Sequence, residues 1–214
     1  MMRGPVHADL VVQSFRLGCW LLLAPILTMA SGGLHAVAEE QHGVWIAGAY
    51  SFSDELGSFR ITGVSGKGTR SDPIVVTEEF ESASPTVLTI RTVKPISPFA
   101  PTGEYANGIL HMRMDVLNNS GHAWTEFEFE LQEIPEQPSV FGDGLSFDQR
   151  NEDPDNIVSS AFRRFDRDFE PYDRLLFTDG TVDPLATVRF EFLITDFTPR
   201  WTFYLVQDPR IPSS

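Results

Sequence analysis

The chain reads as an all-β protein, with a two-sheet antiparallel sandwich as its predicted architecture. Three observations predict this. Segments of strict two-residue alternation recur along the chain, and side chains on a strand alternate between its faces. The connections between them are rich in Gly, Pro, Asn and Asp, which favour turns. The 214 residues leave room for one domain or two small ones. The predicted organisation is a secretory signal over 1–38 and a single β-sandwich domain over 39–214.

The clearest segment is Ile109–Leu131, which reads as a hairpin. Leu110, Met112, Met114 and Val116 form a dry face, with His111, Arg113 and Asp115 on the wet one. In the second arm Phe127, Phe129 and Leu131 are dry, while Glu126, Glu128 and Glu130 are wet. Asn118-Asn119-Ser120-Gly121 supplies residues that tolerate positive φ, as a hairpin loop requires. Across such a pair Arg113 would face one of the glutamates.

Arg3 and Arg16 give residues 1–38 a positive start. The apolar run Leu17–Ala30 is interrupted by Pro25, and Ala36-Val37-Ala38 offers a small-x-small cleavage site. An uncleaved anchor is the competing reading, disfavoured by the shortness of the run. No membrane span is expected after cleavage. The expected location is the periplasm or the medium.

Val44–Tyr50, Phe59–Val64, Pro73–Glu79 and Pro85–Val93 read as short strands. Ser65-Gly66-Lys67-Gly68-Thr69 lacks the first glycine of a phosphate loop and reads as a turn. Pro95–Gly103 is a proline-rich connector. Gln132–Asn156 reads as a long surface loop, of a length that is often functional. Over Ile157–Phe165 the apolar residues fit one helical face, so a turn or two of helix is expected. Leu175–Thr178 runs into the turn signal Asp179-Gly180. Val188, Phe190, Phe192 and Ile194 line one face of the next strand, and Trp201, Phe203 and Leu205 mark the last.

Two of these stretches carry a resemblance. Val116-Leu117-Asn118-Asn119-Ser120-Gly121 followed by Trp124-Thr125-Glu126-Phe127 resembles a recurrent pattern of exported bacterial β-sandwich modules of the immunoglobulin-like kind. So does Gly180-Thr181-Val182-Asp183-Pro184 followed by Thr187-Val188-Arg189-Phe190-Glu191-Phe192, although Leu185 stands where such modules usually carry glycine. The resemblance covers about the last half of the chain and implies an immunoglobulin-like sandwich, with a jelly-roll-like one as the alternative. It implies binding of sugars or proteins, or a spacer role, and fixes none of them.

The net charge of −14 argues against nucleic-acid binding and against a polybasic membrane anchor. Cys19, the only cysteine, lies in the signal, so the exported protein is expected to lack disulfides and cysteine-based zinc sites.

The sharpest enzyme-like feature is Glu126, Glu128 and Glu130. Residues two apart on one strand face lie about 6.5–7 Å apart, within the range in which paired carboxylates cleave glycosidic bonds. The spacing resembles the Glu-x-Asp-x-Glu strand of laminarinase-like jelly-roll hydrolases, with Glu128 in place of the aspartate. The plainer reading is the wet face of an amphipathic strand, which alternation alone predicts. Asp166, Asp168, Glu170 and Asp143 are the candidate calcium ligands, because calcium takes six to eight oxygens from acidic loops. Interleaved Arg163, Arg164, Arg167 and Arg174 make ordinary ion pairing the competing reading. His42, His111 and His122 form no ligand motif and read as surface residues. Trp124 and Tyr172 are candidates for stacking on a sugar, with core packing the alternative for Trp124.

The leading expectation is an exported, non-catalytic binding or structural module of the cell envelope, calcium being a candidate stabiliser. Its partner is expected to be a glycan or another envelope protein. A glycan-cleaving enzyme using the paired glutamates is the alternative.

Overall fold

A computed structural model describes residues 40–41, 43–100, 104–148, 156–168 and 171–212. The predicted signal over 1–38, His42 and the candidate ligand Glu170 lie outside the described residues. The described residues all fall within one unit, Leu34–Ser214. Among them there is no α-helix, and none long and apolar enough to cross a membrane.

The strands are β1 (Glu40–Gln41), β2 (Val44–Ala47), β3 (Tyr50–Ser53), β4 (Arg60–Ser65), β5 (Ile74–Phe80), β6 (Thr86–Thr92) and β7 (Ile109–Asn118). They continue as β8 (Glu126–Gln132), β9 (Leu145–Phe147), β10 (Val158–Ser159), β11 (Phe162–Asp168), β12 (Arg174–Gly180), β13 (Thr187–Asp196) and β14 (Thr202–Arg210). An eight-stranded sheet has the order β1-β2-β3-β6-β14-β8-β12-β11. A six-stranded sheet has the order β10-β13-β7-β5-β4, with β9 also paired to β13. All pairs are antiparallel except β5 with β7. From β5 to β9 the chain changes sheet at every connection.

The predicted all-β sandwich is therefore the observed class, but its central hairpin is not a hairpin. β7 pairs with β13 and β5, whereas β8 pairs with β14 and β12 in the other sheet. The stretch 119–125 is an arch that crosses the core. Alternation places Leu110, Met112, Met114 and Val116 inward, and Phe127, Phe129 and Leu131 likewise, as expected. Arranging the two strands face to face lets each dry face bury the other, which a flat hairpin cannot do. Arg113 accordingly meets no glutamate of β8; it pairs with Asp115 on its own strand at 2.7 Å.

The core is unusually aromatic. Phe127, Phe129, Phe177, Phe190 and Phe192 are all buried. Phe190 lies 4.7 Å from Phe127 and 4.9 Å from Phe177, and Phe129 lies 4.8 Å from Phe192, centroid to centroid. These offset and edge contacts are the favoured geometries for rings.

Three further expectations change. Val44–Tyr50 is two strands, β2 and β3, because the chain turns at Gly48 with φ +60. The predicted loop over Gln132–Asn156 contains β9, whose Leu145 and Phe147 are fully buried against β13. The predicted helix over Ile157–Phe165 is instead β10 and the start of β11, in opposite sheets. Ile157 and Phe162 are both buried, but the chain buries them by crossing between layers, not by winding one face.

Candidate functional site

The glutamates of β8 do face outward, on the eight-stranded sheet. Register puts Glu126 opposite Arg210, Glu128 opposite Asp208 and Leu176, and Glu130 opposite Arg174. Glu128 is held by Arg210 at 2.9 Å and by Arg174 at 3.9 Å. Glu126 is 3.6 Å from Arg210, and Glu130 accepts a hydrogen bond from the Gln132 amide at 2.7 Å. Burial pushes the Glu128 carboxyl up, and Arg210 and Arg174 oppose that shift. The row is thus an ion-paired sheet face.

The described calcium candidates, Asp143, Asp166 and Asp168, do not form one site. Asp166 and Asp168 lie on edge strand β11, with Asp168 3.7 Å from Arg174. Asp143 uses its carboxylate to accept from the backbone N–H groups of Val140 and Leu145, both at 3.0 Å. Among the described residues no group of three or more His, Cys, Asp or Glu is placed to hold a metal ion.

Trp124 is fully buried, so it offers no stacking face. Its ring packs on Phe80 and Phe127, and its indole N–H donates to the Ser120 hydroxyl at 3.1 Å. Alternation does not extend back to it, because Trp124 belongs to the arch and not to β8. Tyr172 is exposed in the β11–β12 turn, with the Arg174 guanidinium 5.7 Å from its ring centre.

Tyr172 stands at the same end of the sandwich as the β6–β7, β8–β9 and β13–β14 connections. Among the described residues, these connections and the β11–β12 turn carry most of the large apolar side chains left in solvent. Trp201 is 65% exposed, Phe99 52% and Phe197 39%, and Tyr105, Ile134 and Val140 are exposed on the β6–β7 and β8–β9 connections. Phe99 and Phe197 come from different connections, yet their rings lie 5.7 Å apart.

Backbone hydrogen bonds tie these connections together. Thr92 N–H donates to Trp201 C=O (3.0 Å), Asp196 N–H to Gly108 C=O (2.8 Å) and Phe197 N–H to Gly144 C=O (2.9 Å). The Thr198 hydroxyl donates to Asp143 C=O at 2.6 Å. Arg200 binds the largely buried Glu133 carboxylate at 2.8 Å. Burial raises the carboxyls of Glu133 and Asp196, and Arg200 opposes both shifts. Burial also pushes Tyr50 up to about 12. The end of the sandwich is therefore a pre-arranged aromatic surface backed by acids and one arginine. Nothing in local periodicity marks it; only the topology brings Phe99, Phe197 and Trp201 to one end.

A recess of about 190 Å³ opens on the six-stranded sheet, lined in part by Arg70, His111, Asn156 and Glu191. The sequence reads His111 as a surface residue, but it is half-buried. Burial and the nearby Arg70 lower its pKa, against a smaller opposing effect from Asp148. Comparison with protein-family models, curated proteins and solved structures gave no match for the chain.

Proposed function

We propose that the protein is an exported, non-catalytic binding module of the cell envelope that holds a glycan at its aromatic end. The observation that carries this reading is the exposure of Phe99, Phe197 and Trp201 on connections tied by backbone hydrogen bonds. Apolar rings held in water without covering are a recurrent mark of binding surfaces, and conformational pre-arrangement lowers the entropy cost of binding. Sugar rings present apolar C–H faces to such aromatics, while Arg200 and neighbouring backbone groups supply hydrogen bonds to hydroxyls. The glycan-cleaving alternative has the raised carboxyl of Glu128 in its favour. Against it, that carboxylate is committed to two arginines on a sheet face, with no uncommitted acid partner beside it.

The test is calorimetric titration of the protein with soluble polysaccharides and peptidoglycan fragments. Trp201→Ala and Phe197→Ala are expected to weaken binding about tenfold or more, with melting unchanged, as for an exposed hot spot. A folded wild-type protein that binds none of these saccharides would sink the glycan reading. Calcium stabilisation belongs to the same proposal and is checked by melting with calcium and with chelator. Saturation at about a hundred times the dissociation constant would add roughly 2.7 kcal/mol; superimposable curves would remove calcium from the proposal.

A further inference from the structure

Glu78 is the one acid of β5 that faces inward. Strand parity sets it with Ile74, Val76 and Phe80, all fully buried, while Thr77 and Glu79 point outward. Its partners in register are apolar: Ile61 on β4 and Val116 on β7. Across the core it meets Gln207 of β14, and Gln207 lies opposite Thr86 of β6 and Phe129 of β8. Glu78, Gln207 and Thr86 are all buried, and neither Glu78 oxygen, the Gln207 amide nor the Thr86 hydroxyl makes a hydrogen bond of ordinary geometry.

The charged groups around this polar island are few. Among the described residues, β4, β6, β7, β8 and β14 present no charge to Glu78. The β3–β4 turn presents Asp54, whose carboxylate accepts from Ile61 N–H at 2.9 Å. That charge opposes ionisation of Glu78, and no lysine or arginine among the described residues is paired with it. A carboxylate fully removed from water with no cation is far costlier than a neutral carboxylic acid, which also carries a proton to donate.

We propose that Glu78 is a protonated latch between the two sheets, its acid O–H donating across the core to the Gln207 carboxamide, so that the sandwich loosens when this group ionises. Its pKa is raised to about 8, first by burial and then by Asp54, with Gln207 opposing. In the unfolded chain it returns to the ordinary value of 4.5. A folded-state pKa raised above the unfolded one gives stability that is complete below the lower value and lost as pH rises through the higher. The window of loss is therefore pH 4.5 to about 8. Within it the folding constant falls by about tenfold per pH unit from this group alone.

The experiment is denaturant unfolding of the full chain and of Glu78→Gln across this window, with ¹³C NMR of the side-chain carboxyls. Glu78→Gln keeps the shape and the donor but cannot ionise. The wild type is expected to lose stability relative to this variant as pH rises, and one carboxyl resonance, absent from the variant, is expected to titrate near neutral or alkaline pH. Parallel stability profiles would overturn the latch. So would a wild-type spectrum in which every glutamate titrates in the ordinary range, a result that stands even if the variant does not fold.

Discussion

Replacing Phe129 with alanine is expected to lower the unfolding free energy by about 3–5 kcal/mol, the usual cost of removing a buried phenylalanine. Phe129 is fully buried and its ring meets those of Phe127, Phe177, Phe190 and Phe192. Those rings come from β8, β12 and β13, so the cavity would open between the two sheets and not within one. Neighbours fixed by ring contacts on several sides collapse poorly, which places the cost toward the upper end. Total stability for a domain is only about 5–15 kcal/mol, so the variant should unfold at a much lower denaturant midpoint. Phe99→Ala is the companion: among the described rings it meets that of Phe197, and half of its surface is in water. Its expected cost is within about 0.5 kcal/mol, as for other surface substitutions. Equal midpoint shifts for the two variants would refute the division between core rings and surface rings.

That division was only half legible in the sequence. Alternation assigns faces, so the inward sets of β7, β8 and β13 follow from their residues alone. It carries no information about partners. The same pattern suits a hairpin and an arch, and only packing of the dry faces decides for the arch. β9 is too short for any period to show, with Leu145-Ser146-Phe147 flanked by Gly144 and Asp148. Ile157, Phe162 and Phe165 have spacings that suit a helix, yet their burial is divided between layers. The charge of the β8 glutamates was plain, but Arg174 and Arg210 reach them through registers that no local pattern encodes. Phe99 lies far from Phe197 and Trp201 in the chain, and only strand order brings it to the connection that carries them. Glu78 is different, because its signal was available: parity with Ile74, Val76 and Phe80 puts that acid on the dry face.

The aromatic end depends on one backbone approach, and this gives the second large effect. Gly108 has φ +73, and a Cβ there would lie 1.9 Å from the Asp196 carbonyl oxygen and 3.0 Å from the Pro199 side chain. Its own carbonyl accepts from Asp196 N–H at 2.8 Å. Gly108→Ala therefore combines left-handed strain of about 1–2 kcal/mol with displacement of the strand end and loss of that hydrogen bond, worth about 1 kcal/mol more. The expected total is about 2–3 kcal/mol or above. Gly121→Ala separates the contributions. Its φ is +76, almost the same, but nothing lies within 4 Å of the added carbon. It should show the strain alone. The excess cost at Gly108 measures how tightly the β6–β7 connection is pinned to β13, beside Phe197 and Trp201. Because the displaced segment leads directly to those two rings, Gly108→Ala should also weaken saccharide binding under conditions where it remains folded, while Gly121→Ala should not. If the two variants cost the same and bind alike, the close approach at Gly108 does not hold the aromatic surface in place.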